Sequence, residues 1–244
     1  MSLRTIDYVN GISSLTYCFI FILIGLIITS KYFKLKDTNF IFIGLGLMGV
    51  SEPWLSSGIS FLWNLFTGEG LSLEIYTLIG VIFIPFSILF WMMGITDMTN
   101  PDKKKLITII YIIIGIIFEI VFLFLLFNAP NLIGTFSAES AIVHIDIEYK
   151  TFILGYLLFV ILSTLISTII FAKNSFNAAD PVVQLKGKLL LIGVIIWTVG
   201  AILDGFIPLN IFSLPITRLF LTSSSFLFYL GFIMPPKIKE KLLK

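Results

Sequence analysis

Three long stretches of this chain contain no charged residue, and they limit what it can fold into. They run from residue 8 to 30, from 75 to 96 and from 151 to 172. A helix needs about 20 apolar residues to cross roughly 30 Å of hydrocarbon, and each stretch is long enough. Charged residues make up only 12% of the 244 residues, against roughly 25% in a soluble domain. The sequence therefore predicts an integral membrane protein.

The apolar runs between charged residues predict seven membrane-spanning helices in a single domain, residues 1–244. The expected spans are residues 8–30, 40–66, 72–96, 106–128, 151–172, 189–207 and 211–234. The apolar part of the first span is longer than the roughly 7–15 residues of a signal peptide, and no A-x-A-like cleavage site follows. We interpret it as a retained span, so the expected fold class is an all-α seven-helix bundle.

The segments that connect the expected spans alternate in charge. Thirteen lysines fall on one side: Lys31, Lys34, Lys36, Lys103, Lys104, Lys105, Lys173, Lys186, Lys188, Lys237, Lys239, Lys241 and Lys244. The other side carries Arg4 and Lys150 together with Asp7, Glu69, Glu74, Glu139, Asp146 and Glu148. Because basic residues in short loops stay in the cytoplasm, we expect a multi-pass protein of the cell membrane. Its N-terminus would lie outside and its C-terminus inside.

The longest connection, residues 129–150, is expected outside. Within it, apolar and polar residues alternate from Val143 to Tyr149, and a period of two is typical of a strand with one apolar face. We expect a β-hairpin that covers the helix ends, with an irregular loop as the alternative. His144, the only histidine, is expected to be an ordinary loop residue, with a protonation switch as its alternative.

Two pairs of segments suggest an internal repeat. "FIGLGLMGVS" at residues 42–51 is similar to "LIGVIIWTVG" at 191–200, and "FSILFWMMG" is similar to "SSFLFYLG". Spans one to three and five to seven also run in the same direction, as a parallel 3+1+3 arrangement requires. Chance similarity between apolar helices is the alternative.

Four ionisable residues fall inside the expected spans: Glu52, Glu119, Asp204 and Arg218. Each costs about 2.5–3.5 kcal/mol at the bilayer centre on insertion scales, so such residues usually face the bundle interior and find partners. Their positions place all four in the outer half of the membrane. Arg218 is expected to pair with Asp204, since only a short loop joins spans six and seven.

Small and polar residues share a helical face with these charges. Arg218 and Thr222 lie on one face of span seven, Trp197 and Asp204 on one face of span six, and Tyr111 and Glu119 on one face of span four. Such faces usually point into a bundle. The sequence therefore predicts a polar pocket in the extracellular half, formed by Glu52, Glu119, Asp204, Arg218, Trp197, Thr222 and Tyr111. For Glu119 and Trp197, a role in packing alone is the alternative.

Proline and tryptophan add two expectations. Pro53 has no N–H to donate to the Gly49 carbonyl, so a kink is expected there, and Pro85 and Pro215 could have the same effect in spans three and seven. Trp54 and Trp63 fit the outer aromatic belt of a membrane protein.

The residue inventory argues against most enzymes. A single histidine and a single cysteine, Cys18, make a zinc or di-iron site improbable, because such sites take three or four ligands. The spans contain no Ser/His pair for nucleophilic catalysis, and no Gly-rich phosphate loop occurs. We expect no enzymatic activity, no cofactor and no nucleic-acid partner.

In topology and size the chain resembles the microbial rhodopsins, which are seven-helix proteins with an outside N-terminus. Their defining residue is a lysine in the seventh span that binds retinal covalently. The seventh span here, "FSLPITRLFLTSSSFLFYLGFIM", has no lysine, and neither has any other expected span. Covalent retinal binding is therefore not expected.

A second resemblance covers spans six and seven. The stretch "VVQLKGKLLLIGVIIWTVGAILDGFIP…ITRLFLTSSSFLFYLGFIMP" is similar to uncharacterised seven-span archaeal membrane proteins and to the seven-span sensor regions that precede histidine kinase domains. This resemblance implies a membrane sensor module. The chain ends about ten residues after span seven, so it implies a sensor without an attached output domain.

Together these features favour a stand-alone sensor or receptor-like protein. A small polar or amphiphilic ligand would enter from outside and contact the charged residues, and a cytoplasmic partner would read the lysine-rich loops. The first alternative is a small-solute transporter in which Glu52 or Glu119 carries a proton. The second is an assembly or scaffold subunit of the membrane with no ligand.

Overall fold

Helices account for nearly all of the regular structure in the computed structural model, which describes residues 3–137, 143–207 and 210–242. The helices within these ranges are α1 Thr5–Leu35, α2 Asn39–Gly49, α3 Glu52–Thr67, α4 Leu73–Val81, α5 Ile84–Thr99, α6 Lys104–Asn128, α7 Thr151–Phe176, α8 Pro181–Phe206, α9 Ser213–Ile233 and α10 Pro236–Leu242. Short 3₁₀ turns at Pro101–Lys103 and Pro130–Leu132 flank α6. Glu139 and Lys244, two of the charges used to orient the chain, lie outside the described residues.

Among the described residues, five helical segments are long and apolar enough to cross a membrane. They are Thr5–Leu35, Leu73–Thr99, Pro101–Asn128, Thr151–Phe176 and Pro181–Phe206. A sixth is added if α2 and α3 form one bent span. Helix α9, which covers most of the seventh expected span, is not among them. This content is consistent with an all-α membrane protein.

The second and third expected spans, residues 40–66 and 72–96, are not single helices. Residues Val50–Ser51 separate α2 from α3, with a bend of 50°, and Ile82–Phe83 separate α4 from α5. A proline follows each break by two residues, Pro53 and Pro85. The missing N–H and the bulk of the ring interrupt a helix one turn before a proline, which accounts for both breaks. Pro215 lies in the first turn of α9, where no kink is needed.

The two broken segments lie side by side and pack through small residues. A Cβ on Gly46 would lie 2.8 Å from the backbone nitrogen of Trp91 in α5, and a Cβ on Gly49 would clash with the Ser87 side chain. Glycine lets helix backbones approach this closely. The α2–α5 pair is among the most extensive helix contacts of the structure, together with α8–α9 and α1–α2.

Aromatic side chains fill the main core. Tyr17 and Phe21 of α1, Trp91 of α5 and Phe228 of α9 are all buried there. Trp91 donates its indole N–H to the Ser167 hydroxyl of α7 at 3.1 Å, so the core also joins α5 to α7. A second cluster of buried apolar residues, including Phe118 and Phe122, joins α4, α6 and α7.

The connection at residues 129–150 contains two short antiparallel strands. Strand β1, Gly134–Phe136, pairs with β2, Ile147–Tyr149, with Thr135 opposite Glu148. The strand expected over 143–149 is confined to its last three residues, and 138–142 lie outside the described residues. Val143 and Ile145 are buried against Phe61 of α3, so this connection covers the ends of α3 and α4.

Candidate functional site

A buried ion pair joins the ends of α8 and α9. The Nη1 group of Arg218 donates to Oδ1 of Asp204 at 2.6 Å, and Arg218 is only 4% exposed. Its Nη2 group donates to the Asn10 side-chain oxygen in α1 at 3.0 Å. The pairing predicted from the short loop between the two spans is therefore present, with a third helix attached to it.

Asp204 is held by further donors. The Thr217 hydroxyl donates to Oδ1 at 3.0 Å, and the Trp54 indole N–H donates to Oδ2 at 2.7 Å. The pair therefore connects four helices, α1, α3, α8 and α9. Each carboxylate oxygen of Asp204 has a donor, whereas the buried Arg218 Nε has no hydrogen-bond partner among the described residues.

The close contact between α8 and α9 brings Asp204 and Arg218 next to each other. A Cβ on Gly200, one turn before Asp204, would lie 3.0 Å from Phe220 Cβ, and one on Gly193 would lie 3.1 Å from Leu227 Cβ. These two glycines permit the close approach of α8 and α9 that the ion pair needs.

The two tryptophans assigned to the outer aromatic belt differ. Trp63 is 51% exposed, in keeping with that expectation, but Trp54 is 8% exposed. Its ring packs edge-on against Tyr17 with centroids 5.0 Å apart, and the Arg218 guanidinium carbon lies 5.9 Å from its centroid. The bend between α2 and α3, at the kink expected from Pro53, turns this residue into the bundle.

A cavity of about 640 Å³ opens beside the ion pair. Its walls come from helices α3, α4, α5, α7, α8 and α9 and from strand β2. The polar or aromatic residues that line it are Trp54, Ser57, Tyr76, Ser137, Asp146, Glu148, Tyr149, Trp197, Asp204, Phe206 and Arg218. Leucine, isoleucine, valine and alanine side chains cover much of the rest. The cavity therefore combines a large apolar surface with charged groups at one end.

The connection that covers the cavity is fixed to α3 and α4 by hydrogen bonds. The Ser60 hydroxyl donates to the His144 carbonyl at 2.6 Å, and the Tyr76 hydroxyl donates to the Ile145 carbonyl at 3.2 Å. His144 Nδ1 lies 2.8 Å from the Leu71 carbonyl, and its ring stacks on Phe136 with centroids 4.1 Å apart. These contacts give His144 a structural position in the cover.

Asp146 is the acidic group that this cover places at the cavity. Burial raises the pKa of its carboxyl to about 6, and the nearby carboxylates of Asp204 and Glu148 act in the same direction, while the Arg218 cation opposes them. A carboxyl group with such a pKa changes its charge at mildly acidic pH.

Trp197 lies on the cavity wall, as its position on the inner face of span six suggested. Its indole N–H donates to the Tyr17 hydroxyl at 3.1 Å, which ties α8 to α1. Tyr111 and Thr222 do not line the cavity. Tyr111 stacks on Phe159 with centroids 5.6 Å apart, and the carbonyl of Thr222 accepts the Ser225 hydroxyl.

Glu52 and Glu119 do not line the cavity either. Glu52 Oε1 accepts the Phe83 N–H at 2.8 Å, so its carboxyl faces the break between α4 and α5. Glu119 lies on α6, whose Gly115 approaches Pro85 just after that break. The expected network of four charges is thus divided into two groups. The physical reason is that Phe83, at the break, has an N–H that needs an acceptor.

Several residues of the site gave weak sequence signals. Asn10 and Tyr17 lie in the first span, where single polar residues within an apolar helix are common. Asp146 lies in the outer connection. Asn10 was detectable as an amide within an apolar run, since intramembrane polar groups usually find partners. Within the described residues, no group of three or more His, Cys, Asp or Glu could hold a metal ion.

Comparison with known protein families, with curated proteins and with solved structures gave no match.

Proposed function

We propose that this protein is a membrane sensor or receptor-like protein that binds a small amphiphilic molecule in the cavity beside Asp204 and Arg218. It crosses the cell membrane seven times, with the N-terminus outside, the C-terminus inside and the cavity in the extracellular half. Helix α9 and the bent α2–α3 pair complete the seven spans. The lysine-rich loops would contact a cytoplasmic partner, and the 3+1+3 repeat stays a prediction.

The observation that carries the proposal is the cavity with an ion pair in its wall. A volume of about 640 Å³ falls within the roughly 300–1,000 Å³ of small-molecule sites, which combine apolar walls with a few polar groups. The apolar walls suit a hydrocarbon body, and the Asp204–Arg218 end suits a polar head.

The ion pair also supplies a route from ligand to helix packing. Asp204 and Arg218 receive contacts from Trp54 of α3 and Asn10 of α1. A ligand head that replaced either contact would alter how α8 and α9 pack against α1. On the far side, Lys186 of α8 donates to the Phe232 carbonyl of α9 at 3.1 Å, so a shift of α9 would reach the lysine-rich end.

A ligand-stabilisation experiment tests the cavity. Purified protein would be heated with decanoic acid, decylamine or decanol, three probes with the same chain and different heads. We expect at least one probe to raise the unfolding temperature saturably, because a ligand that binds only the folded state stabilises it. The preferred head identifies the chemistry at the ion pair.

A glycine pair provides matched variants. A Cβ on Gly205, which lines the cavity, meets no atom within 4 Å, and the same holds for Gly155 in α7, which does not line it. Gly205→Phe should abolish the stabilisation, whereas Gly155→Phe should retain it. If no probe stabilises the protein, or if Gly205→Phe responds as the wild type does, the cavity is not the binding site.

A small-solute transporter is the second candidate, and the paired breaks favour it. Transporter sites are typically formed by discontinuous helices, and here two broken segments lie side by side next to the cavity. Uptake of the stabilising probe into proteoliposomes would distinguish the two functions, since a sensor moves nothing. The scaffold alternative requires no cavity and gains no specific support.

A further inference from the structure

Negative charges outnumber positive charges on the wall of the cavity. Asp146, Glu148 and Asp204 contribute carboxylates, whereas Arg218 is the one cationic residue among the described residues of the lining. When all four groups are ionised, the wall carries an excess of two negative charges. Because the same cavity has a large apolar surface, this excess distinguishes between amphiphiles by the charge of the head.

The cation of the lining is already engaged. Arg218 donates to Asp204 at 2.6 Å and to the Asn10 side-chain oxygen at 3.0 Å. The described part of the lining offers no second cation to set against Asp146 and Glu148. The buried Arg218 Nε has no acceptor among the described residues, but a neutral oxygen would serve it as well as an anion would. The wall therefore does not favour a negative head.

The three carboxylates differ in exposure. Glu148 is exposed and Asp146 is partly buried, whereas the Asp204 side chain is 12% exposed. Clefts lined by one sign of charge concentrate the opposite charge. A positive head is therefore attracted both at the exposed part of the cavity and at its buried end.

Asp146 and Ser137 together suit a head that carries several donors. Burial raises the pKa of the Asp146 carboxyl to about 6, and the Arg218 cation does not offset this effect, so a further positive charge would stabilise the ionised form. The Ser137 hydroxyl lies near this carboxyl and is buried without a hydrogen-bond partner among the described residues. An ammonium group has three N–H donors, enough for both residues.

We propose that the cavity selects a cationic amphiphile, a molecule with one hydrocarbon chain and an ammonium head that lies against Asp146 and Glu148. This inference rests on the function proposed above and names the ligand class of that site. The hydrocarbon chain packs on the leucines that α7 contributes to the wall. The tyrosine and tryptophan rings of the wall suit a positive head as well, because aromatic rings attract cations at their faces.

Calorimetric titration of the purified protein in nonionic detergent tests the charge preference. Decylamine, decanol and decanesulfonate share one chain and carry a positive, a neutral and a negative head at mildly alkaline pH. Titrations into protein-free micelles correct for partition into the detergent. We expect decylamine to bind about tenfold more tightly than decanol, and decanesulfonate to bind most weakly, because a unit charge several Å away changes affinity by that order. Added salt should reduce the preference.

Two acidic positions and a control locate the head. Glu148→Gln changes an exposed position of β2, so we expect it to fold normally and to bind decylamine about tenfold more weakly, with decanol binding unchanged. Asp146→Asn should act in the same direction. Glu74→Gln also removes an exposed carboxylate, but Glu74 does not line the cavity, and its affinity for decylamine should match that of the wild type.

The outcomes separate the ligand class from the binding site. Saturable binding of decanol or decanesulfonate at least as tight as that of decylamine would overturn the cationic ligand and leave cavity binding intact. Decylamine binding that neither Glu148→Gln nor Asp146→Asn weakens, or that Glu74→Gln weakens equally, would overturn it too, since the cavity carboxylates then make no special contribution. Saturable binding by none of the three probes would overturn the proposed function together with this inference.

Discussion

Buried polar side chains in this protein lie where they find hydrogen-bond partners. Arg218 shows this directly, because its guanidinium cannot lose its proton and is 4% exposed. It has two acceptors, Asp204 and Asn10, in two different helices. The Arg218–Asp204 contact was predictable from the short loop between their spans. The Asn10 and Trp54 contacts were not, because they join residues that are 208 and 150 positions apart.

Removing one member of this pair should cost more than removing both. Arg218→Leu leaves the Asp204 carboxylate buried without its cation, so we expect a loss of about 3–5 kcal/mol in unfolding free energy. The double variant Arg218→Leu/Asp204→Leu should recover much of that loss. Denaturant unfolding in mixed micelles provides the measurement.

The half-exposed pair of Lys104 and Asp97, at 3.0 Å, is the natural control for the buried one. Lys104→Gln should cost no more than about 1 kcal/mol, as solvent-screened pairs usually do. An Arg218→Leu variant as stable as Lys104→Gln would contradict a buried, essential pair.

Two tryptophans offer a comparison of hydrogen bonds. Trp54 donates to the charged Asp204 at 2.7 Å, and Trp197 donates to the neutral Tyr17 hydroxyl at 3.1 Å. Trp54→Phe should cost about 1.5–3 kcal/mol and Trp197→Phe about 1 kcal/mol, because bonds to charged groups are stronger. The reverse order in thermal or denaturant unfolding would show that Asp204 does not depend on the Trp54 N–H.

Asp146 should make stability depend on pH. Burial raises its folded-state pKa to about 6, above the roughly 3.9 of an unfolded aspartate. Between these values the folded state binds more protons, so stability falls as pH rises from about 4 to about 6. Asp146→Asn should flatten the unfolding temperature over this range, whereas Glu74→Gln, at an exposed position of α4, should keep the slope. An unchanged slope in Asp146→Asn would exclude this carboxyl as the cause.

At the scale of elements, the two helix breaks decide which way Trp54 and Glu52 face. Proline positions made a kink at Pro53 predictable, and the structure shows a 50° bend there. The direction of this bend was not predictable from the sequence, because it depends on what the next helix packs against. Here it turns Trp54 toward Asp204 and leaves Glu52 facing Phe83.

The contact between α2 and α5 should not tolerate a methyl group. A Cβ on Gly46 would lie 2.8 and 2.9 Å from backbone atoms of Trp91, and backbone moves only with its helix. Gly46→Ala should therefore cost about 1–3 kcal/mol, as overpacking does. Gly155→Ala meets nothing within 4 Å and should be neutral or stabilising, since alanine favours helix over glycine by about 1 kcal/mol. Equal unfolding temperatures for the two variants would contradict the tight α2–α5 contact.

At the scale of the whole molecule, the orientation is open to a direct test. Cys18 is the only cysteine and is buried, so a Cys18→Ala background suits single-cysteine labelling. A membrane-impermeant thiol reagent should label Glu69→Cys on intact cells and should label Lys103→Cys only after the membrane is broken. The opposite pattern would invert the proposed topology and place the cavity on the cytoplasmic side.

The sequence alone determined that this protein lies in a lipid bilayer, and it identified the residues whose burial costs the most free energy. Apolar runs as long as the hydrocarbon is thick require helices, because no water is available there to satisfy the backbone. That argument is local, so it needs no fold. Which charged groups meet was decided by the tertiary structure. A bend between α2 and α3 and the bond from the Phe83 N–H to Glu52 divide Glu52 and Glu119 from Asp204 and Arg218, and both depend on contacts between helices distant in sequence.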